Sequence, residues 1–219
     1  NTTGNLNLAD IGGTATFTGA LTVGDLDVPA TVANLVLSGT GNSFTSPVTL
    51  LNDGSLTLGD NAADTFVFNG GLTETAVGLV TLAATISGSD DAISFGAVTL
   101  GANTSLDTNA VSGTSDLSLG AVTGATFDLT LSTGDNIAGA DVTGSSVNTT
   151  GNLNLADIGG SATFTGALTV GDLDVPATVA NLALTGSGNS FTSPVTLLND
   201  GTTTLGNAAT DTFVFNGGL

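Results

Sequence analysis

The sequence predicts an all-β fold, a three-sided parallel β-helix (β-solenoid) with coils of about 24–25 residues. Three observations predict it. Short apolar–polar–apolar triplets recur along the chain, among them Leu6–Leu8, Leu35–Leu37, Leu56–Leu58, Val80–Leu82, Leu117–Leu119 and Leu129–Leu131. Alternation with a period of two is the pattern of a strand that buries one face. Gly, Asn, Asp and Ser fill the intervals, and these are the residues that turns require. Finally, apolar positions thread into three evenly spaced series, as a stack of coils demands, because one coil cannot bury its inward face alone.

Taken in order, the first series runs Leu8, Leu37, Leu58, Leu82, Leu106, Leu131 and Leu155. The second runs Phe17, Phe44, Phe68, Ile93, Leu117, Val142 and Phe164, and the third Val23, Val48, Leu72, Val98, Val122, Val147 and Val170. Each is expected to form one inward ladder. Phe17, Phe44 and Phe68 then stack in consecutive coils, as do Phe164, Phe191 and Phe215. The longest step falls over 24–34, GDLDVPATVAN, where Pro29 cannot donate to a ladder. That stretch, and its equivalent at 171–181, is expected to be a protruding loop or a wider corner. The Asn-Gly-Gly runs after Phe68 and Phe215 are expected to turn corners through positive φ. Long helices are disfavoured, since 32 glycines would each weaken one by nearly ~1 kcal/mol against alanine.

The finer beat sits inside a long repeat. Residues 1–72 and 148–219 align without a gap and differ at nine positions: 14/161, 36/183, 38/185, 40/187, 55/202, 56/203, 60/207, 61/208 and 63/210. The expected organisation is one continuous solenoid, with 1–147 a first six-coil unit and 148–219 a second, partial unit. Six coils stacked at the spacing of strands in a sheet give a rise of about 29 Å per unit, and the chain has about nine coils. Such a sequence reads as a piece of a longer array.

Composition excludes several functions. The chain has no Lys, Arg, His, Cys, Met, Trp, Tyr or Gln, while 18 Asp and Glu74 give a net charge of −19. Without cations it is a poor partner for nucleic acid and is repelled by anionic membrane surfaces. No apolar run reaches the length of a membrane helix. Cysteine gives no disulfide framework and no thiolate chemistry. A hydrophobic fraction of 40% nonetheless supports a packed core rather than disorder.

The carboxylates are the only groups with chemistry to weigh. Asp25/Asp27 and Asp172/Asp174 are paired, as in glycoside hydrolases, yet no base, no cation for an acidic sugar and no Trp or Tyr accompanies them. Enzymatic activity is not expected. Calcium fits the groups better, because it takes several carboxylate and carbonyl oxygens. Its candidate ligands are Asp60, Asp64, Asp90, Asp91, Asp135 and Asp141, all in Gly- and Asn-rich turns. None lies in an EF-hand or β-roll motif, and solvated turn carboxylates are the ordinary reading. Uncompensated charge is expected to make stability or rod–rod association depend on ions. Outward threonines, Thr57, Thr81 and Thr130, with Ser118 and Asn7 equivalent, form a broken rank that argues against an ice-binding face.

The strings FTGALTV, NSFTSPVTL and DTFVFNGGL, with the recurring LTL triplets, resemble the β-strand repeats of giant bacterial surface proteins, the filamentous haemagglutinin-like and autotransporter-type parallel β-helix adhesins. The resemblance implies a right-handed parallel β-helix, secretion to the cell surface and a stalk-like role, and supplies no active-site residue. The expected function is therefore a structural segment of a long extracellular bacterial fibre, self-associating or continuing in the same repeat. The alternative is a repeat adhesin that grips a glycan or surface through the stretches 24–34 and 171–181. A β-helical polysaccharide-degrading enzyme is a distant alternative.

Overall fold

The computed structural model describes residues 4–75, 78–111, 115–134 and 137–219. These residues form 29 strands and no helix. The strands assemble into three parallel sheets of ten, ten and nine members, in each of which every third strand of the chain is a neighbour. Chain order therefore runs sheet A, sheet B, sheet C and back to A, one coil per circuit, for about ten coils. This is a three-sided parallel β-solenoid.

Most strands are two to four residues long, and their burial alternates in step with the apolar–polar triplets. Val48–Leu50, Leu56–Leu58 and Leu117–Leu119 each bury their outer two residues and turn the middle one outward. Three residues are enough because each strand pairs on both edges, so its backbone groups are satisfied by the coils above and below. The buried residues form one continuous cluster from Leu8 to Val195. Phe44, Phe66 and Phe68 are fully buried in it, with the rings of Phe44 and Phe68 stacked 4.8 Å apart.

The coils are less regular than the even spacing predicts. Successive partners in sheet A are Leu6, Leu26, Val48, Leu72, Ile93 and Leu117, and in sheet B Thr57, Thr81, Thr99 and Thr123. Steps thus range from 18 residues (Thr81 to Thr99) to 25 (Leu117 to Val142). Each expected series slips by one face at two places. Leu8 follows a strand of sheet A, whereas Leu37, Leu58 and Leu82 share sheet B, and Leu106, Leu131 and Leu155 share sheet C. Phe17 accordingly leaves the expected stack: it pairs with Leu37 in sheet B, while Phe44 and Phe68 sit in sheet C.

One strand hidden at each slip explains the difference. The first is Leu26–Val28, in the middle of the stretch expected to protrude. Leu26 and Val28 are buried, Asp27 points out, and Pro29 opens a turn closed by the Val32 N–H donating to the Pro29 carbonyl at 3.0 Å. Pro29 is thus at a corner, where no ladder bond is lost. Its counterpart is the same: Leu173–Val175 is a strand, and the Val179 N–H donates to the Pro176 carbonyl at 3.1 Å. Neither stretch is a protruding loop. The Asn-Gly-Gly corners do turn as expected, with Gly71 at φ 84° and Gly218 at φ 97°.

The two copies of the long repeat are not superposed along one face. Leu6–Asn7 lies in sheet A, but the equivalent Leu153–Ala156 lies in sheet C. Asn42–Phe44 lies in sheet C and its equivalent Asn189–Phe191 in sheet B, while Leu56–Leu58 in sheet B becomes Thr203–Leu205 in sheet A. Twenty strands separate equivalent positions, so the unit is six and two-thirds coils, not six. Particular corners and ring contacts move with it, although the strand Thr14–Phe17 lengthens to Ile158–Phe164 in the second copy. Asp10 and Asp157 both take positive φ, 52° and 48°, and each N–H donates to a threonine hydroxyl, of Thr31 or Thr178, at 3.1 Å. The Phe44–Phe68 stack reappears as Phe191–Phe215 at 5.1 Å.

Candidate functional site

The carboxylates proposed for calcium are spread over separate corners. Asp60 and Asp64 share the turn between sheets B and C. There Asp64 is buried and its Oδ2 accepts from the Asp60 N–H at 2.8 Å, capping the turn. Asp211 repeats this at the corresponding turn, accepting from the N–H groups of Asn207 and Ala208 at 2.7 and 2.9 Å. Asp90 and Asp91 occupy a corner entering sheet A, where Asp90 takes φ 67° and its Oδ1 accepts from the Val111 N–H at 3.2 Å. Asp141 stands at the sheet A corner two coils further on. Asp135 lies outside the described residues. Among the described residues no three acidic groups come together to hold a metal ion, so a divalent cation would meet these carboxylates singly or in pairs.

The acidic and amide side chains instead link one coil to the next. Asp116 Oδ1 accepts from the Asp141 N–H at 3.0 Å, and Asp141 Oδ1 accepts from the Ser161 N–H at 2.7 Å. On another corner, Asn103 Oδ1 accepts from the Asp128 N–H at 3.0 Å and Asp128 Oδ1 from the Asn152 N–H at 2.8 Å. At corners the backbone leaves the ladder, and its N–H groups need acceptors of this kind. Two further residues were not singled out from sequence. Asn42 and Asn189 are almost fully buried, and their Oδ1 atoms accept from the N–H groups of Leu21 and Leu168 at 3.0 and 2.9 Å. The signal for them was present, since Gly-Asn-Ser-Phe opens both copies of the strand.

Within the strand ladders, each outward Asp sits on a neutral polar partner. Asp27 lies between Asn7 and Thr49, Asp107 between Ser87 and Ser132, and Asp174 between Asn154 and Thr196. This spares the strands the roughly 0.9 kcal/mol that two unit charges at the inter-strand distance cost even in water. The crowding expected along the rod is therefore met at corners, as at Asp116 and Asp141, rather than on the faces.

The surface carries open depressions rather than an enclosed cavity at two places. One, of about 210 Å³, lies on the outer face of sheet C over Thr85, Asn103, Ser105, Asp128, Thr130 and Asn154. The most uniform outward rank is Thr57, Thr81, Thr99 and Thr123 on sheet B, where the Thr99 and Thr123 hydroxyls lie 3.1 Å apart. Thr130, expected in the same rank, belongs to sheet C, and Ser118 and Asn7 to sheet A. The rank ends at Val36 and at Asn148.

No family model, no curated protein and no solved structure matches the chain.

The charge gives a measurable expectation. At 0.1 M salt, exposed like charges more than about 10 Å apart are largely screened from one another and nearer ones partly so. Raising ionic strength from a few millimolar to that level is expected to raise Tm by about 2–4 °C, the shift that ~1 kcal/mol gives in a chain of this size. Differential scanning calorimetry across a salt series checks it, and a flat or falling Tm would show that the carboxylates are already compensated.

Proposed function

We propose that the chain is a structural segment of a long repetitive extracellular bacterial fibre or stalk. The observation that carries this reading is the junction between the two copies. Residues 148–219 continue the ladders of the preceding coils, with Leu129, Thr130 and Leu131 paired to Leu153, Asn154 and Leu155. A further copy of the unit therefore needs no new core and no new corner, so the rod lengthens by duplication alone. The wall is a ladder of backbone hydrogen bonds along the axis, and tension on the rod loads those bonds along their length. The surface placement rests on the resemblance to β-strand-repeat surface proteins. Partners under this reading are further copies of the same repeat.

The alternative adhesin had its gripping element in the stretches 24–34 and 171–181. Both are wall strands and corners, so no observation favours that reading over the fibre.

Contour length tests the proposal. Tandem genes encoding one, two and four units, imaged by atomic force microscopy, should give rods of constant width that lengthen by about 32 Å per unit, the rise of six and two-thirds coils. Particles that grow in width, or that stay compact as units are added, would contradict it.

A further inference from the structure

The junction between the copies fixes more than length. Twenty strands per unit on a three-sided coil leave a remainder of two, so equivalent positions step back by one face, from A to C, from B to A and from C to B. The core tolerates this because all three sides are lined by the same apolar types. Phe17 sits against Leu37 in sheet B, and its equivalent Phe164 against Leu184 in sheet A, where Gly144 leaves room for the ring: a Cβ there would stand 2.6 Å from Phe164 Cδ1. Positive-φ corners and the ring stack recur from face to face, so the block keeps its turns as it moves about the rod axis.

Resting on the fibre reading, we propose that tandem copies of this unit form a rod with a threefold screw axis. Each copy turns by one face and rises about 32 Å, and the fourth copy returns to the orientation of the first after about 96 Å. The interaction surface of such a rod is the same on every side. Among the described residues, one large apolar side chain is exposed in both copies, Leu51 and its equivalent Leu198. Leu51 lies on the edge between sheets A and B, and Leu198 on the edge between sheets C and A. Asp27 and Asp174, outward on sheets A and C, move in the same way. A binder specific for any outward cluster of the unit therefore meets it at three azimuths, instead of along a single stripe.

The chain contains no cysteine, so paired cysteines report the threading directly. Outward neighbours on adjacent coils lie within reach of a disulfide or a short cross-linker. The proposal expects Thr81→Cys to link with Thr99→Cys, and Thr16→Cys with Val36→Cys, since these pairs are in register. Six coils per unit would instead link Thr81→Cys with Ser105→Cys, and Asn7→Cys with Val36→Cys. Thr57→Cys with Thr81→Cys is neighbouring under both threadings. Near-complete linking of the first two pairs and of the last, with only background for the other two, supports the screw. Linking of Thr81→Cys to Ser105→Cys, or of Asn7→Cys to Val36→Cys, overturns it and leaves the fibre standing. Failure of the Thr57→Cys/Thr81→Cys pair overturns the stacked-coil arrangement and with it the fibre reading.

Discussion

Replacing Gly59 with alanine is expected to destabilise the protein by about 2–5 kcal/mol, from ~1–2 for the left-handed backbone and ~1–3 for overpacking. Gly59 is buried at φ 82°, and a Cβ built on it would lie 2.2 Å from the Ala83 carbonyl oxygen of the next coil. That neighbour is backbone and can move only by breaking the ladder above. Gly206 is the same residue in the second copy, with the same φ of 82°, but no coil covers it and its nearest neighbour is Asp211 Cβ at 3.3 Å. Gly206→Ala should therefore cost only the conformational part, about 1–2 kcal/mol. Denaturant unfolding of the two variants measures the difference. Equal losses would mean that the coil of Ala83 is not stacked on Gly59.

The second large effect is expected at the aromatic stack. Phe68 is fully buried, 4.8 Å from the ring of Phe44 and 6.4 Å from that of Phe66. Phe68→Ala opens a cavity bounded by rigid ladders on every side, so the structure cannot collapse into it, and the loss should be about 3–5 kcal/mol. Phe215 makes the same stack with Phe191, yet it is only partly buried. Removing it opens a site that water already reaches, and less than half that loss is expected. Hydrogen exchange resolves the two cases further. Phe68→Ala should raise exchange in the coils on both sides of it, whereas Phe215→Ala should act on the terminal coils alone, because each coil contacts only its neighbours.

The class of fold was legible because its signal is purely local. Triplets such as Leu56–Leu58 state which way each residue points, and Gly, Asn and Asp state where the chain turns. The threading was not legible, for the reason that makes the fold extendable. A side accepts Leu, Val, Ile or Phe alike, so a series that slips by one face, from Leu8 to Leu37 or from Leu82 to Leu106, looks as regular as a true ladder. Leu26–Val28 escaped notice because an outward Asp27 and the following Pro29 gave it the composition of a loop. The partners of the carboxylates were not legible either. In sequence Asp64 and Asp141 resemble ligands; in the fold each accepts backbone N–H groups, a role set by partners about four residues away for Asp64 and a full coil away for Asp141. The buried Asn42 and Asn189 could have been found from the repeated Gly-Asn-Ser-Phe, since a polar residue retained where a strand begins marks a corner acceptor.

Diffraction from aligned rods of tandem units tests the central claim most directly, because it reports which way the coils stack. Coils stacked along a continuous rod predict a strong meridional reflection at about 4.8 Å, parallel to the long axis, with a rise of about 32 Å per unit. A 4.8 Å reflection lying across the long axis, or discrete globular particles without layer lines, would contradict it.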